Sequence, residues 1–242
     1  MRYLIDFSYS GALFSGYQKQ KGRRTVQGEI EKILTNINNK EVIIHSSGRT
    51  DKGVNALHQM AHFDLDKKIA CYKLKGALND YLPDDIHIND VCFVDNNFHA
   101  RYMVKEKTYE YKINTMEYNP LHRTHVYQYC KPLNIFKIKK AIKYFKGEHD
   151  FTTFTSAEDK RDDKTRIITK TYIKAKKGII IIRFTSKGFL KYQVRNMVGT
   201  LIKVGEEKVD PNIIPLLFTK KDRKSAHLCA PAEGLTLINV KY

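Results

Sequence analysis

The chain lacks the usual signs of a metal or redox protein. Its four cysteines, Cys71, Cys92, Cys130 and Cys229, are scattered, and no two form a Cys-x-x-Cys pair. That argues against a zinc or disulfide-exchange motif and fits isolated thiols in a reducing compartment. Long apolar runs are missing too. The longest aliphatic run, GIIIIRF, is far shorter than the roughly 20 residues that span a bilayer. The opening MRYLIDFSYS alternates apolar and polar residues and holds Asp6, unlike a secretory leader. A cytoplasmic protein with no membrane association is therefore expected. Acids are also in deficit, with 26 Asp and Glu against 43 Lys and Arg, a formal charge of +17. Such an excess points to an anionic partner, nucleic acid first and a membrane surface second. A composition rich in Lys, Ile and Asn accounts for part of it.

What is present is enough for a sizeable core: 242 residues, 42% of them hydrophobic, make one large domain or two small ones. RYLIDFSY alternates as a strand, with Tyr3, Ile5 and Phe7 on one face. After Thr25, a capping residue, Val26, Ile30, Ile33, Leu34 and Ile37 recur at helical spacing. EVIIHSS and LHQMAHFDL read as strands, with Ala61, Phe63 and Leu65 on one face of the second. YKLKGALNDYL reads as a helix stopped by Pro83, and IHINDVCFV as a strand. The first half is thus β-α-β-β-α-β, the ferredoxin-like order.

The second half repeats that order loosely. TYEYKIN and THVYQY read as strands, and NIFKIKKAIKYFKG as a helix with Asn134 as cap and Gly147 at its end. A hairpin turning at Lys177-Gly178, the helices GFLKYQVRNMVGTLIKVG and PNIIPLLF, and the strand GLTLINVKY complete it. The expected fold class is α+β. Two ferredoxin-like halves, 1–104 and 105–242, join into one mixed, mostly antiparallel sheet with helices on one face and a basic cleft between the halves. The charged, aperiodic run SAEDKRDDK (156–164) is expected to be a mobile surface loop.

Four stretches can carry chemistry. In SSGRTDKGVNA, Asp51 sits in a turn with Arg49 two residues before it and Gly48 and Gly53 on either side. A turn aspartate often serves only its local backbone. Here the glycines permit unusual backbone, an arginine can keep the carboxylate ionised, and flanking strands make the turn rigid. That describes a presented carboxylate, a nucleophile or general base. No metal set is expected: Asp64 and Asp66 read as solvated strand residues, and His58 and His62 lie in an extended segment. In FHARYMVKEKTYEYKI, Arg101, Lys105 and Lys107 interleave with Tyr102, Tyr109 and Tyr111. Aromatics among cations can stack bases while neutralising phosphate. Tyr111 reads as core, and Tyr109 stays open between core and binding. Arg195 lies among apolar neighbours in mid-helix; half-buried there, it needs an anionic partner, with Asp51 a candidate, and a free surface arginine is the alternative. In FSGYQKQKGRRTVQGEIEK, Lys19, Lys21, Arg23 and Arg24 precede a helix N-terminus. That arrangement attracts phosphate, and a solvated loop is the equal alternative.

These stretches together resemble the tRNA pseudouridine synthase A family. GRTDKGVNA is similar to its signature GRTDAGVHA. YSGALFSGYQKQKGRRTVQGEIEKIL, FHARYMVKEKTYEYKI, GFLKYQVRNMVGTL and APAEGLTL resemble its other blocks, in family order over nearly the whole chain. The resemblance implies an isomerase that converts uridines 38–40 of the tRNA anticodon arm to pseudouridine, without metal or organic cofactor, as a homodimer. Carried over by position, it makes Asp51 the catalytic aspartate, Tyr109 the ring stacked on the flipped uracil, and Arg195 the aspartate's partner. Arg49 is then the signature arginine that assists base flipping. Lys52, Arg101, Lys19, Arg23 and Arg24 are expected to bind substrate. Tyr17 stands where tryptophan is usual, Asn55 where histidine is, and Lys52 where alanine is. KYQ before Val194 also departs from the family pattern. A catalytically silent RNA-binding protein of the same fold is the alternative.

Overall fold

Period-two burial builds the first strand, with Tyr3, Ile5 and Phe7 fully buried on one face. The computed structural model describes residues 1–242. In chain order the elements are β1 (Arg2–Tyr9), α1 (Val26–Asn38), β2 (His45–Ser46), β3 (Asn55–Asp64), α2 (Cys71–Tyr81) and β4 (Ile86–Phe93). Then come β5 (Glu106–Asn114), β6 (Tyr127–Gln128), α3 (Ile135–Ala141), β7 (Gly147–Asp150), β8 (Thr165–Lys176), β9 (Ile179–Ser186), α4 (Gln193–Gly205), α5 (Ile213–Lys220) and β10 (Leu235–Lys241). The class is α+β, and the pairing is mixed and mostly antiparallel.

The chain divides into Met1–Lys105 with Thr236–Tyr242, and Glu106–Leu235. The last strand therefore does not stay with the second half, as 105–242 supposed. β10 runs parallel to β3, with Thr236 opposite Asn55 and Leu237 opposite Ala56. A parallel neighbour needs a long connection, and only a strand remote in sequence supplies one.

In the first unit the strand order is β4-β1-β3-β10, with β2 on β3. Thr25 caps α1 by accepting the Gly28 N–H at 3.3 Å, and Asn39, at φ 57°, ends it. Leu82, before Pro83, is extended and stops α2. The strand expected over EVIIHSS shrinks to β2, because the buried Glu31 carboxylate takes the Ile44 N–H at 3.1 Å. His62 is buried in β3, and its Nδ1 accepts the Ala100 N–H at 3.1 Å. Burial, helped by nearby His99, Arg2 and His45, lowers its pKa to about 4.

In the second unit the order is β5-β9-β8-β7, with β6 parallel to β5. Its order is β-β-α-β-β-β-α-α, so the ferredoxin-like order holds for the first half alone. THVYQY keeps only β6, a two-residue strand. The Asn134 side chain caps α3, which tightens to a 3-10 turn over Ile142–Phe145 before Gly147, at φ 111°, turns into β7. Phe145 anchors the core edge-on to Phe154, Phe184 and Phe218, at 5.2, 5.8 and 6.0 Å. The run 156–164, expected to be mobile, is tied by Asp159, which accepts from Thr155 Oγ1 at 3.0 Å and Arg161 Nε at 2.8 Å.

Two measurements check these assignments. Phe145→Ala is expected to cost about 3–5 kcal/mol in urea denaturation, as a large aromatic cavity does. His62 is neutral when folded and protonates more readily when unfolded. Stability is therefore expected to fall as pH drops from 6.5 towards 4, and His62→Gln to flatten that part of the pH profile.

Candidate active site

The Asp51 turn is built by inward-facing polar groups of its own unit. Gln59 is fully buried in β3 on the face that carries Ala61 and Phe63. Its amide donates to the Gly48 carbonyl at 2.9 Å, and its carbonyl accepts from Ser47 Oγ at 2.7 Å and the Met60 N–H at 3.2 Å. The Ser47 N–H reaches Met60 O at 2.7 Å, so the β2–β3 ribbon runs on to the turn. On the other side Tyr9 Oη and Thr50 Oγ1 share a buried hydrogen bond of 2.7 Å. Burial pushes the Tyr9 hydroxyl up to about 12, so it keeps its proton. The Tyr17 N–H binds the Thr50 carbonyl at 3.2 Å, and the Val54 N–H closes the turn on Asp51 O at 3.1 Å. Gly53 takes φ +80°, which favours glycine; Gly48 is not among the residues at positive φ.

The unusual residues near the turn are packed into it. Asn55 is buried and accepts the Gly11 N–H at 2.8 Å. A side chain at Gly11 would collide with the Val54 carbonyl, so the 11–13 turn docks directly on the chain leaving Asp51. Tyr17 is buried beside Phe7 at 6.5 Å. Arg49 and Lys52 are both exposed on the turn.

The second unit positions Tyr109 and Arg195. Tyr109 lies on β5 among the buried residues, its ring edge-on to Phe189 at 5.3 Å and 89°. Tyr111 is core as expected: its hydroxyl donates to Pro231 O at 2.7 Å, and a side chain at Gly234 would strike its ring. The helix expected from Gly188 begins only at Gln193, because Tyr192 takes φ 63°. Arg195, in the first turn of α4 rather than mid-helix, donates from Nε to Ala230 O at 2.8 Å, its guanidinium 5.2 Å from the Tyr192 ring. Ala230 returns its N–H to Arg195 O at 3.0 Å. A side chain at Gly199 would overlap the Leu228 carbonyl, so only glycine lets this segment lie against α4.

The other expected contacts behave differently. Lys19 is held by the buried Glu31 carboxylate at 3.1 Å. Arg24 makes a two-pronged pair with Asp85 at 2.7 and 2.8 Å, with its guanidinium over Phe14. These two expected phosphate ligands are therefore engaged with acids of their own unit, whereas Arg23 and Arg101 are exposed. No group of three His, Cys, Asp or Glu side chains is placed to hold a metal ion, and no helix is long and apolar enough to cross a membrane. Sequence reasoning missed Gln59, Ala230 and the packing role of Gly199. Gln59 left a signal, a polar residue two before Ala61 on the inward face.

A family model described as tRNA pseudouridine synthase matches residues 7–103 and 141–242. The chain is 44% identical over 237 residues to tRNA pseudouridine synthase A 1 of Bacillus cereus, covering 97% of this chain and 96% of that one. It is 41% identical to tRNA pseudouridine synthase A of Maridesulfovibrio salexigens, with 100% and 90% covered. For that of Streptococcus gordonii the identity is 40%, with 100% and 98% covered. Among solved structures, a chain of a Cbf5-Nop10-Gar1 complex aligns with a TM-score of 0.45 at 15% identity, covering 98% of this chain and 48% of that one.

Gln59→Leu tests the scaffold of the turn. It removes the hydrogen bonds to the Gly48 carbonyl, the Ser47 hydroxyl and the Met60 N–H, and is expected to cost about 1–3 kcal/mol in chemical denaturation. Protection of the residue 47–50 amides from hydrogen exchange should fall most.

Proposed function

The chain belongs to the tRNA pseudouridine synthase family, isomerases that convert uridine in tRNA to pseudouridine, and on that premise we propose that it acts on uridines 38–40 of the anticodon arm through Asp51. The observation that carries the reading is the rigid turn. One carboxylate is presented from a loop fixed by Gln59, Tyr9 and Tyr17, in a chain of formal charge +17. Binding RNA backbone calls for cations, and a placed acid calls for chemistry.

The isomerisation breaks the N1–C1′ bond, turns the uracil, and makes a C5–C1′ bond. C5 gives up its proton and N1 takes one up, so no atom is gained or lost overall. The base must leave the stack before it can turn, and water must be kept from the sugar. In the proposed division of labour Asp51 is the group at the sugar–base bond, and Arg195 keeps it ionised and aimed. Tyr109 supplies the face on which the extruded uracil stacks, its own tilt set by Phe189. Arg49 fills the space the base vacates.

Arg23, Lys52 and Arg101, all exposed, contact phosphate in this reading. Lys19 and Arg24 shape the 19–24 loop through Glu31 and Asp85 instead. A second copy of the chain is the proposed protein partner, as the family resemblance implies.

Carbodiimide mapping by primer extension on unmodified tRNA tests the assignment. The wild type is expected to give pseudouridine at 38–40, and Asp51→Asn to give none while still binding tRNA. An active Asp51→Asn would overturn the role of Asp51, and modification elsewhere would overturn the target. Tyr109→Phe is expected to keep its melting temperature and tRNA affinity while changing turnover; an unfolded variant would show that the hydroxyl serves the core. Binding should weaken steeply between low and physiological salt, and a flat response would count against phosphate contacts.

A further inference from the structure

The first unit carries an aromatic cluster that the isomerisation does not use. His45 stacks on His62 with centroids 5.0 Å apart, His99 meets His62 edge-on at 4.7 Å, and His45 and His99 are 5.8 Å apart. Tyr102 leans on His99 at 4.2 Å and 34°, and the Arg101 guanidinium lies 5.9 Å from the Tyr102 ring. His62 Nδ1 accepts the Ala100 N–H and His99 Nδ1 the Arg101 N–H, each at 3.1 Å. These bonds leave each of the two imidazoles an acceptor at Nδ1, neutral and packed as a ring rather than as a cation.

The segment that presents Tyr102 is fixed from behind. Arg2, paired with Asp64 at 2.7 and 2.9 Å, donates to the carbonyls of Asn96 and Phe98. Tyr242 donates its hydroxyl to Ala100 O at 2.8 Å and lays its ring edge-on to Phe98 at 4.8 Å. What projects is Tyr102, 71% exposed, with His45 and Arg101 exposed beside it. An isolated exposed tyrosine is ordinary. A rigid one, backed by imidazole and flanked by a guanidinium, is a stacking face with a phosphate contact attached.

Its place along the chain is informative. His45 pairs with His62 in the ribbon that continues through Ser47 and Gly48 into the Asp51 turn. Six residues of chain separate His45 from Asp51, at most about 20 Å. A few nucleotides of single strand cover that span, so the cluster lies within reach of the strand on either side of a nucleotide held at Asp51.

We propose that Tyr102, flanked by His45, His99 and Arg101, is a second nucleobase-stacking subsite that takes an unpaired base of the tRNA strand flanking the target uridine. The inference rests on the reading that Asp51 acts on that uridine. Stacking on a π face does not select a base identity, so the subsite favours unpaired over duplex RNA whatever its sequence.

The test compares the full chain with Tyr102→Ala and Tyr102→Phe. Fluorescence anisotropy reads binding to an anticodon-arm hairpin and to a blunt RNA duplex of the same length, and pseudouridine formation is measured on the same tRNA. Tyr102→Ala is expected to weaken hairpin binding about tenfold and leave duplex binding unchanged, with Tyr102→Phe within about twofold of wild type. The proposal is overturned if Tyr102→Ala binds the hairpin like wild type, if it loses the same factor on the duplex, or if Tyr102→Phe loses as much as Tyr102→Ala. A wild type that makes no pseudouridine yet shows the Tyr102 pattern sinks the role of Asp51 and leaves the subsite standing. An active wild type without the pattern does the reverse.

Discussion

The buried amide of Gln59 is the group on which the Asp51 turn depends. One side chain joins the Gly48 carbonyl, the Ser47 hydroxyl and the Met60 N–H. An amide inside a core is costly unless its hydrogen-bonding groups are used, and here both its nitrogen and its oxygen are. The same bonds transfer the rigidity of the β2–β3 ribbon to a loop that would otherwise fray. Thr50, between Tyr9 and Tyr17, anchors the other flank. Arg49 and Lys52 are left exposed on that anchored backbone. A carboxylate used for chemistry needs this kind of support, because small displacements of a reacting group are expensive.

A steric allowance plays the matching part around Arg195. The absent side chain of Gly199 lets the 228–230 segment lie against α4. Ala230 can then exchange hydrogen bonds with Arg195, side chain and backbone. An arginine amid apolar neighbours is thus held in one orientation, which reduces what ordering costs on binding. The APA and VG motifs, far apart in sequence, are two sides of one contact.

The basic loop before α1, read as either a phosphate site or a solvated loop, is tied into its own unit. Glu31 and Asp85 hold Lys19 and Arg24, two of its four cations. Glu31 is buried in α1 and Asp85 follows α2, so neither pairing has a local signal in the loop itself. Net charge survives as an argument for an anionic partner.

The elements themselves were legible, because burial largely follows a period of two in β1 and 3.6 in α1, and caps such as Thr25 and Asn134 mark helix starts. So was the candidate chemistry at Asp51, since glycine, arginine and aspartate in one short turn carry a local meaning. Three things needed tertiary structure. Tyr192 delays α4 because its backbone is left-handed, β10 returns to β3 because a parallel partner must be remote, and Asn55 is turned inward to accept the Gly11 N–H. Local sequence fixes what each residue can offer, through its hydrogen-bonding groups, charge and backbone preferences. Only the fold decides which of those offers is taken up inside the protein and which is left to face a ligand, because the competing partners come from segments tens of residues away.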